Sequence, residues 1–171
     1  MTFKKLATFG RKGAVAAATG LALALSAGGT ANSATDTANM TVQLQVQASC
    51  AIQAANTLTF TTATTPLTAN IDNNSTIDVI CSNGQAYDVG LDNGANFSGT
   101  RRMAAGGEFV GYSLSAVAAG GANWGNTVGT DTVGAVGNGT TQTYTVFGRV
   151  PPQTTPSANT YTDTVLVTVT Y

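Results

Sequence analysis

Cys50 and Cys81 are the residues of this 171-residue chain best equipped for covalent chemistry, and there is no histidine anywhere to assist them. Two thiols this far apart, with no imidazole and no second cysteine pair, do not make a usual zinc site. In an oxidising compartment they join as a disulfide. Closing a loop of about 30 residues, that bridge contributes roughly 3 to 4 kcal/mol in the chain-entropy model. A serine nucleophile lacks its usual base, because all lysines fall within the first 12 residues. Glu108 is the single glutamate available to pair with scattered aspartates. Asp72-Asn73-Asn74-Ser75-Thr76-Ile77-Asp78 has the oxygen spacing of a calcium loop but lacks the glycine at its sixth position and the glutamate at its twelfth. It reads as a turn. The inventory argues against an enzyme and offers no metal or cofactor site.

The cysteines need an export route, and the first 34 residues look like one. Lys4, Lys5, Arg11 and Lys12 form a basic front, followed by a small-apolar run from Ala14 to Ala27. Ala31-Asn32-Ser33 or Asn32-Ser33-Ala34 supplies the small residues of a signal-peptidase site, with cleavage after Ser33 or Ala34. The run is short, rich in Ala and Gly, and interrupted by Thr19 and Gly20, which disfavours a membrane span. The remaining 137 or so residues suit one domain with a core. They carry three arginines against eight carboxylates, a net charge of −5. A mildly acidic surface without a basic cluster argues against nucleic acid or anionic membrane as the partner.

The elements that must position the cysteines are strands. No sustained 3.6-residue apolar period follows the signal; Thr, Val, Asn and Gly dominate instead. Short alternating runs recur at residues 49–52, 57–60, 76–81, 87–91, 108–116, 142–150 and 161–171. Turn chemistry separates them at Asp72-Asn73-Asn74, Ser82-Asn83-Gly84, Asp92-Asn93-Gly94 and Gly137-Asn138-Gly139. This predicts an all-β plan of a sandwich type. Ile77, Val79 and Cys81 share one face, which puts the disulfide in the core. The Gly-, Ala- and Asn-rich stretch 116–139 reads as long loops with Trp124 packed beneath them. Arg101 and Arg102 are expected to pair with Asp88 or Asp92, or to touch a neighbouring subunit.

Two edges of this plan are unbalanced. Ala38, Met40, Val42, Leu44 and Val46 alternate without a break with Asn39, Thr41, Gln43, Gln45 and Gln47, giving a strand with one dry face ahead of the first cysteine. It has no preceding partner strand. At the other end, Val165, Val167, Val169 and Tyr171 alternate with Thr164, Leu166, Thr168 and Thr170, and no further strand follows to cover that edge. The front arm of one copy fits the back cleft of the next, a head-to-tail contact that propagates rather than closes. Burying Met40, Val42, Leu44 and Val46 is worth about 6 to 12 kcal/mol gross, before ordering costs. From the residues alone, an arm folded back as its own subunit's first strand is the even alternative.

Cys50-Ala51-Ile52, Leu58-Thr59-Phe60, Ile77-Asp78-Val79-Ile80-Cys81, Tyr87 to Gly94, Arg101-Arg102-Met103, Tyr112-Ser113-Leu114, Trp124-Gly125 and Tyr161 to Val165 follow in order. Together they resemble the spore coat protein U domain family, which includes subunits of archaic, Csu-type chaperone-usher pili. The resemblance implies an incomplete immunoglobulin-like sandwich completed by a donor strand from a neighbouring subunit. It implies a periplasmic chaperone that lends a strand and an outer-membrane usher that receives the subunit, which then reaches the cell surface in a pilus. On that mapping residues 1–34 are the signal peptide, 35–48 the donor-strand arm and 49–171 the pilin domain. The donor positions are Ala38, Met40, Val42, Leu44 and Val46, and the acceptor cleft is lined by Ile52, Val165, Val167 and Val169. Expected of such a subunit is self-polymerisation into fibres for adhesion and biofilm formation, the subunit forming the rod. The alternatives are a secreted spore or cell-coat protein and a monomeric adhesin or sugar-binding module. The last requires Trp124 and Tyr112 to be exposed together.

Overall fold

The computed structural model describes residues 33–61, 63, 66–154 and 156–171. The expected signal peptide falls, but for its last two residues, outside the described residues. The chain divides into two units, one ending at Gln43 and the other running from Leu44 to Tyr171. Among the described residues, 33–49 carry neither helix nor strand. Among the described residues from Cys50 onward every regular element is a β-strand: β1 Cys50–Ala55, β2 Ile71–Cys81, β3 Ala86–Leu91, β4 Arg101–Ala105, β5 Glu108–Ser115, β6 Val133–Val136, β7 Thr141–Val150 and β8 Val167–Thr170. No described helix is long and apolar enough to cross a membrane.

Two antiparallel sheets result, one ordered β1-β2-β7-β5-β4 and the other β6-β3-β8. Their apolar faces meet as the alternation requires. Ile77, Val79 and Cys81 of β2, Tyr87, Val89 and Leu91 of β3, and Val110, Tyr112 and Leu114 of β5 are all buried. Val146 and Val150 of β7 complete the layer. Cys50 stands directly across from Cys81 in the β1–β2 ladder and is bonded to it. Opposed residues share a face of the sheet, so the bridge lies on the core side, as the sequence indicates.

Trp124 is 1% exposed and links the sheets from within: its main-chain N–H donates to Leu114 O on β5 and its indole N–H to Val89 O on β3, 2.9 and 2.8 Å. With Tyr112 only 6% exposed, the two rings do not form the surface pair that a sugar-stacking module requires.

Several local expectations are corrected. Asp72-Asn73-Asn74 is not a turn but the outer end of β2, paired with Arg149, Gly148 and Phe147 of β7. The ten-residue β7 supplies ladder partners throughout, and Asp72 and Arg149 meet as an ion pair at 2.6 Å, so tertiary pairing overrides turn propensity. Residues 57–60 form no strand. Residues 161–166 form none either, although Ala104 and Thr162 make an isolated antiparallel bridge. The glycine-rich stretch contributes β6 as well as loops. The turns at Gly84 and Gly94 are as expected, both with φ of 80°. Neither Arg101 nor Arg102 forms an ion pair among the described residues. Arg101 binds the main-chain oxygens of Leu91, Asp92 and Trp124, and Arg102 donates to Asn96 O and lies 4.0 Å over the Phe109 ring.

Candidate strand-acceptor groove

β8 lies at the edge of its sheet, and β1 at the edge of the other. Among the described residues no strand pairs with β8 on the side away from β3. Asp92 N–H donates to Leu166 O and Ala95 N–H to Thr164 O, both at 3.0 Å, so the even-numbered residues turn their main-chain groups toward β3. Alternation in an antiparallel ladder then directs the N–H and C=O of Val165, Val167 and Val169 to the open edge. Val167 and Val169 stand opposite Leu91 and Val89, so their side chains face the core. One set of residues therefore offers both open main-chain groups and an apolar surface.

Beside this edge runs a groove of about 830 Å³. One wall is the end of β1 and the chain after it, residues 55–61; the other is residues 156–165 leading to β8, with Val167 at its end. Leu91, Val110, Leu114, Val146 and Val150 make the floor. The first wall leaves the β1–β2 ladder after the bond from Asn56 N–H to Thr76 O. Beyond it, side chains hold the wall: Ser75 Oγ donates to Asn56 O and Thr57 O, and Asn73 Nδ2 to Thr59 O. Leu58 and Phe60 settle over Gly148, where an added Cβ would lie 2.9 and 2.8 Å from them. The second wall is pinned by Glu108, whose Oε2 accepts from Ser157 N–H at 2.8 Å and Tyr161 Oη at 3.1 Å. The Ser157 bonds, chiefly its main-chain N–H, hold the Glu108 carboxyl below its ordinary value.

A polar pair, Tyr112 and Asp163, sits among the lining residues of the groove. Tyr112 Oη donates to Asp163 Oδ2 at 2.6 Å, and burial, reinforced by that carboxylate, pushes the phenol well above its ordinary value. Asp163 also accepts from Asn96, so the pair is internally satisfied, and the Leu91, Val110, Leu114, Val146 and Val150 floor stays apolar. Nothing here resembles a catalytic array.

The structure places the site residues named from sequence as follows. Val165 and Val167 line the groove, and Val169 continues the same face of β8 beyond it. Ile52 faces the core side opposite the fully buried Val79, yet is 39% exposed because β1 is an edge and bulges after it. Met40, Val42, Leu44 and Val46 are each more than 80% exposed. The groove residues that sequence reasoning missed are Leu58, Phe60 and Tyr161, whose apolar types were visible but whose wall positions depend on Gly148 and Glu108.

An edge-open β-sandwich with an apolar groove defines a class of incomplete immunoglobulin-like domains. The chain belongs to the Spore Coat Protein U domain family, whose model matches residues 36–168. This is a family of structural subunits, not of enzymes. Among solved structures the chain is similar to the crystal structure of the CsuC-CsuE chaperone-tip adhesion subunit pre-assembly complex from archaic chaperone-usher Csu pili of Acinetobacter baumannii. The likeness has 27% identity and a TM-score of 0.54, covering 74% of this chain and 40% of that one. The chain thus spans well under half the length of that neighbour. No curated protein sequence matches it.

Proposed function

We propose that the chain is a pilus subunit that polymerises by donor-strand exchange, residues 38–47 of one copy entering the groove beside β8 of the next. The observation that carries this reading is the complementarity of two unsatisfied features. Four large apolar side chains stand exposed at every second position of the arm, and the domain has an apolar groove along an open strand edge. An inserted strand gains main-chain pairing from the edge and apolar burial from the floor, which is β-strand addition. A groove this apolar is an association hazard when empty, so the reading includes a periplasmic chaperone that fills it before an outer-membrane usher exchanges the occupants. The similarity to a chaperone-bound subunit of Csu pili supports that route. Adhesion and biofilm formation follow from fibres displayed at the surface.

The test is Leu44→Asp, which puts a charge on the dry face of the arm at a cost no hydrophobic groove offsets. Co-expressed with its chaperone and usher, the variant is expected to yield chaperone-bound monomer and no fibre. Intact fibres from it contradict donor-strand exchange.

A further inference from the structure

The geometry points to Asp92, held by Arg101, as the residue that positions the acceptor edge for strand capture. This rests on the groove reading above and concerns residues outside the apolar lining.

Arg101 is 3% exposed, and burial draws its pKa below the usual guanidinium value. All its hydrogen bonds go to neutral oxygens. Nε and Nη2 both donate to Asp92 O, at 2.8 and 2.6 Å; Nη2 also reaches Leu91 O and Trp124 O, and Nη1 reaches Asn123 Oδ1. The Asp92 carbonyl is therefore taken. In a regular antiparallel pair it would accept from Leu166 N–H, because Asp92 N–H already donates to Leu166 O. The Asp92 carboxylate replaces it: Oδ1 accepts from Leu166 N–H at 2.8 Å and from Gly94 N–H at 2.9 Å. A side chain thus completes the ladder one residue past the end of β3.

The replacement has a geometric effect on the groove. Leu166 lies between Val165, just before β8, and Val167, its first residue, both in the groove lining, and its own side chain is 63% exposed. Little packing holds Leu166, so its two main-chain bonds to Asp92 fix where the flanking outward N–H and C=O groups stand. Replacing the carboxylate by a group that cannot reach Leu166 leaves the apolar groove intact but only the Asp92 N–H to Leu166 O bond at this point, which loosens the edge. Capture of a strand then loses preorganisation, which shows as weaker binding with the core unchanged.

The experiment uses the chain carrying Leu44→Asp, so that its own arm does not compete, and a fluorescent synthetic peptide of residues 36–49 read by anisotropy. Asp92→Asn keeps an oxygen at the same reach and is expected to bind the peptide within about threefold of the parent. Asp92→Glu keeps the charge but moves it by one methylene, and Asp92→Ala removes it; both are expected to bind about tenfold more weakly, the scale of one charge-assisted hydrogen bond. Hydrogen exchange on the parent needs no Asp92 variant: the Leu166 amide is expected to be protected before peptide is added, and those of Val165 and Val167 only after. Equal peptide affinity across all four chains, or a Leu166 amide that exchanges as fast as Val165, overturns the positioning role. Absence of peptide binding in the parent refutes the groove reading itself and the inference with it.

Discussion

Trp124 ties the two sheets together, since its two N–H groups bond to strands of opposite sheets. Trp124→Phe keeps most of the buried area but leaves Val89 O without its donor. It is expected to lower unfolding free energy by about 1 to 3 kcal/mol, measured by urea denaturation. Tyr112 and Tyr144 make a second residue-scale prediction. Burial first, then Asp163 for Tyr112 and Tyr87 for Tyr144, raise both phenols above the ordinary value of about 10. A raised folded value means that the stability they contribute is complete below about pH 10 and is lost as the pH climbs further. Phenolate absorbance should therefore show some of the chain's five tyrosines ionising only as the β-sheet circular dichroism signal disappears. All five ionising near pH 10 with the fold intact would contradict this. The tryptophan's burial was legible in sequence because a lone large ring under a glycine-rich stretch has few other uses. The neutral-oxygen cage of Arg101 was not, since it depends on which carbonyls the fold leaves free.

At the scale of elements, the dependable signal was two-residue alternation with a defined face. Residues 77–81, 87–91 and 142–150 lie in strands, and Ile77, Val79 and Cys81 point inward as expected. Where alternation was short or polar, long-range partners decided. Asp72-Asn73-Asn74 became strand because β7 extends past it, and Leu58-Thr59-Phe60 became a groove wall because β2 offers it side chains rather than a continuing ladder. Gly148 lies beneath that wall on the core face of β7. Gly148→Val is expected to push Leu58 and Phe60 outward and destabilise the domain by roughly 1 to 3 kcal/mol, the range of core overpacking, measured by thermal unfolding. An unchanged midpoint would show that the wall does not rest there. The Cys50–Cys81 bridge joins two strands whose cysteines are 31 positions apart. Its reduction should lower unfolding free energy by roughly 3 to 4 kcal/mol, comparing denaturation with and without a thiol reductant. A loss well under 1 kcal/mol would mean that the β1–β2 ladder holds without it.

At the scale of the whole molecule, the proposal joins two features: exposed apolar side chains at every second position from Met40 to Val46 and a groove along the β8 edge. The alternating runs behind both, one at the front and one at the back, were visible in the sequence. The groove walls and the polar fastening by Glu108, Ser75 and Asp92 were not, because each depends on side chains meeting across dozens of residues. Fibre formation is the central claim, and an SDS gel of material sheared from the cell surface tests it most directly, run with and without boiling and probed for this chain. Donor-strand polymers bury both partners at every junction and are expected to give a ladder at regular monomer spacing that collapses on boiling. A single monomer band in both lanes would contradict strand exchange and return the arm to its own subunit.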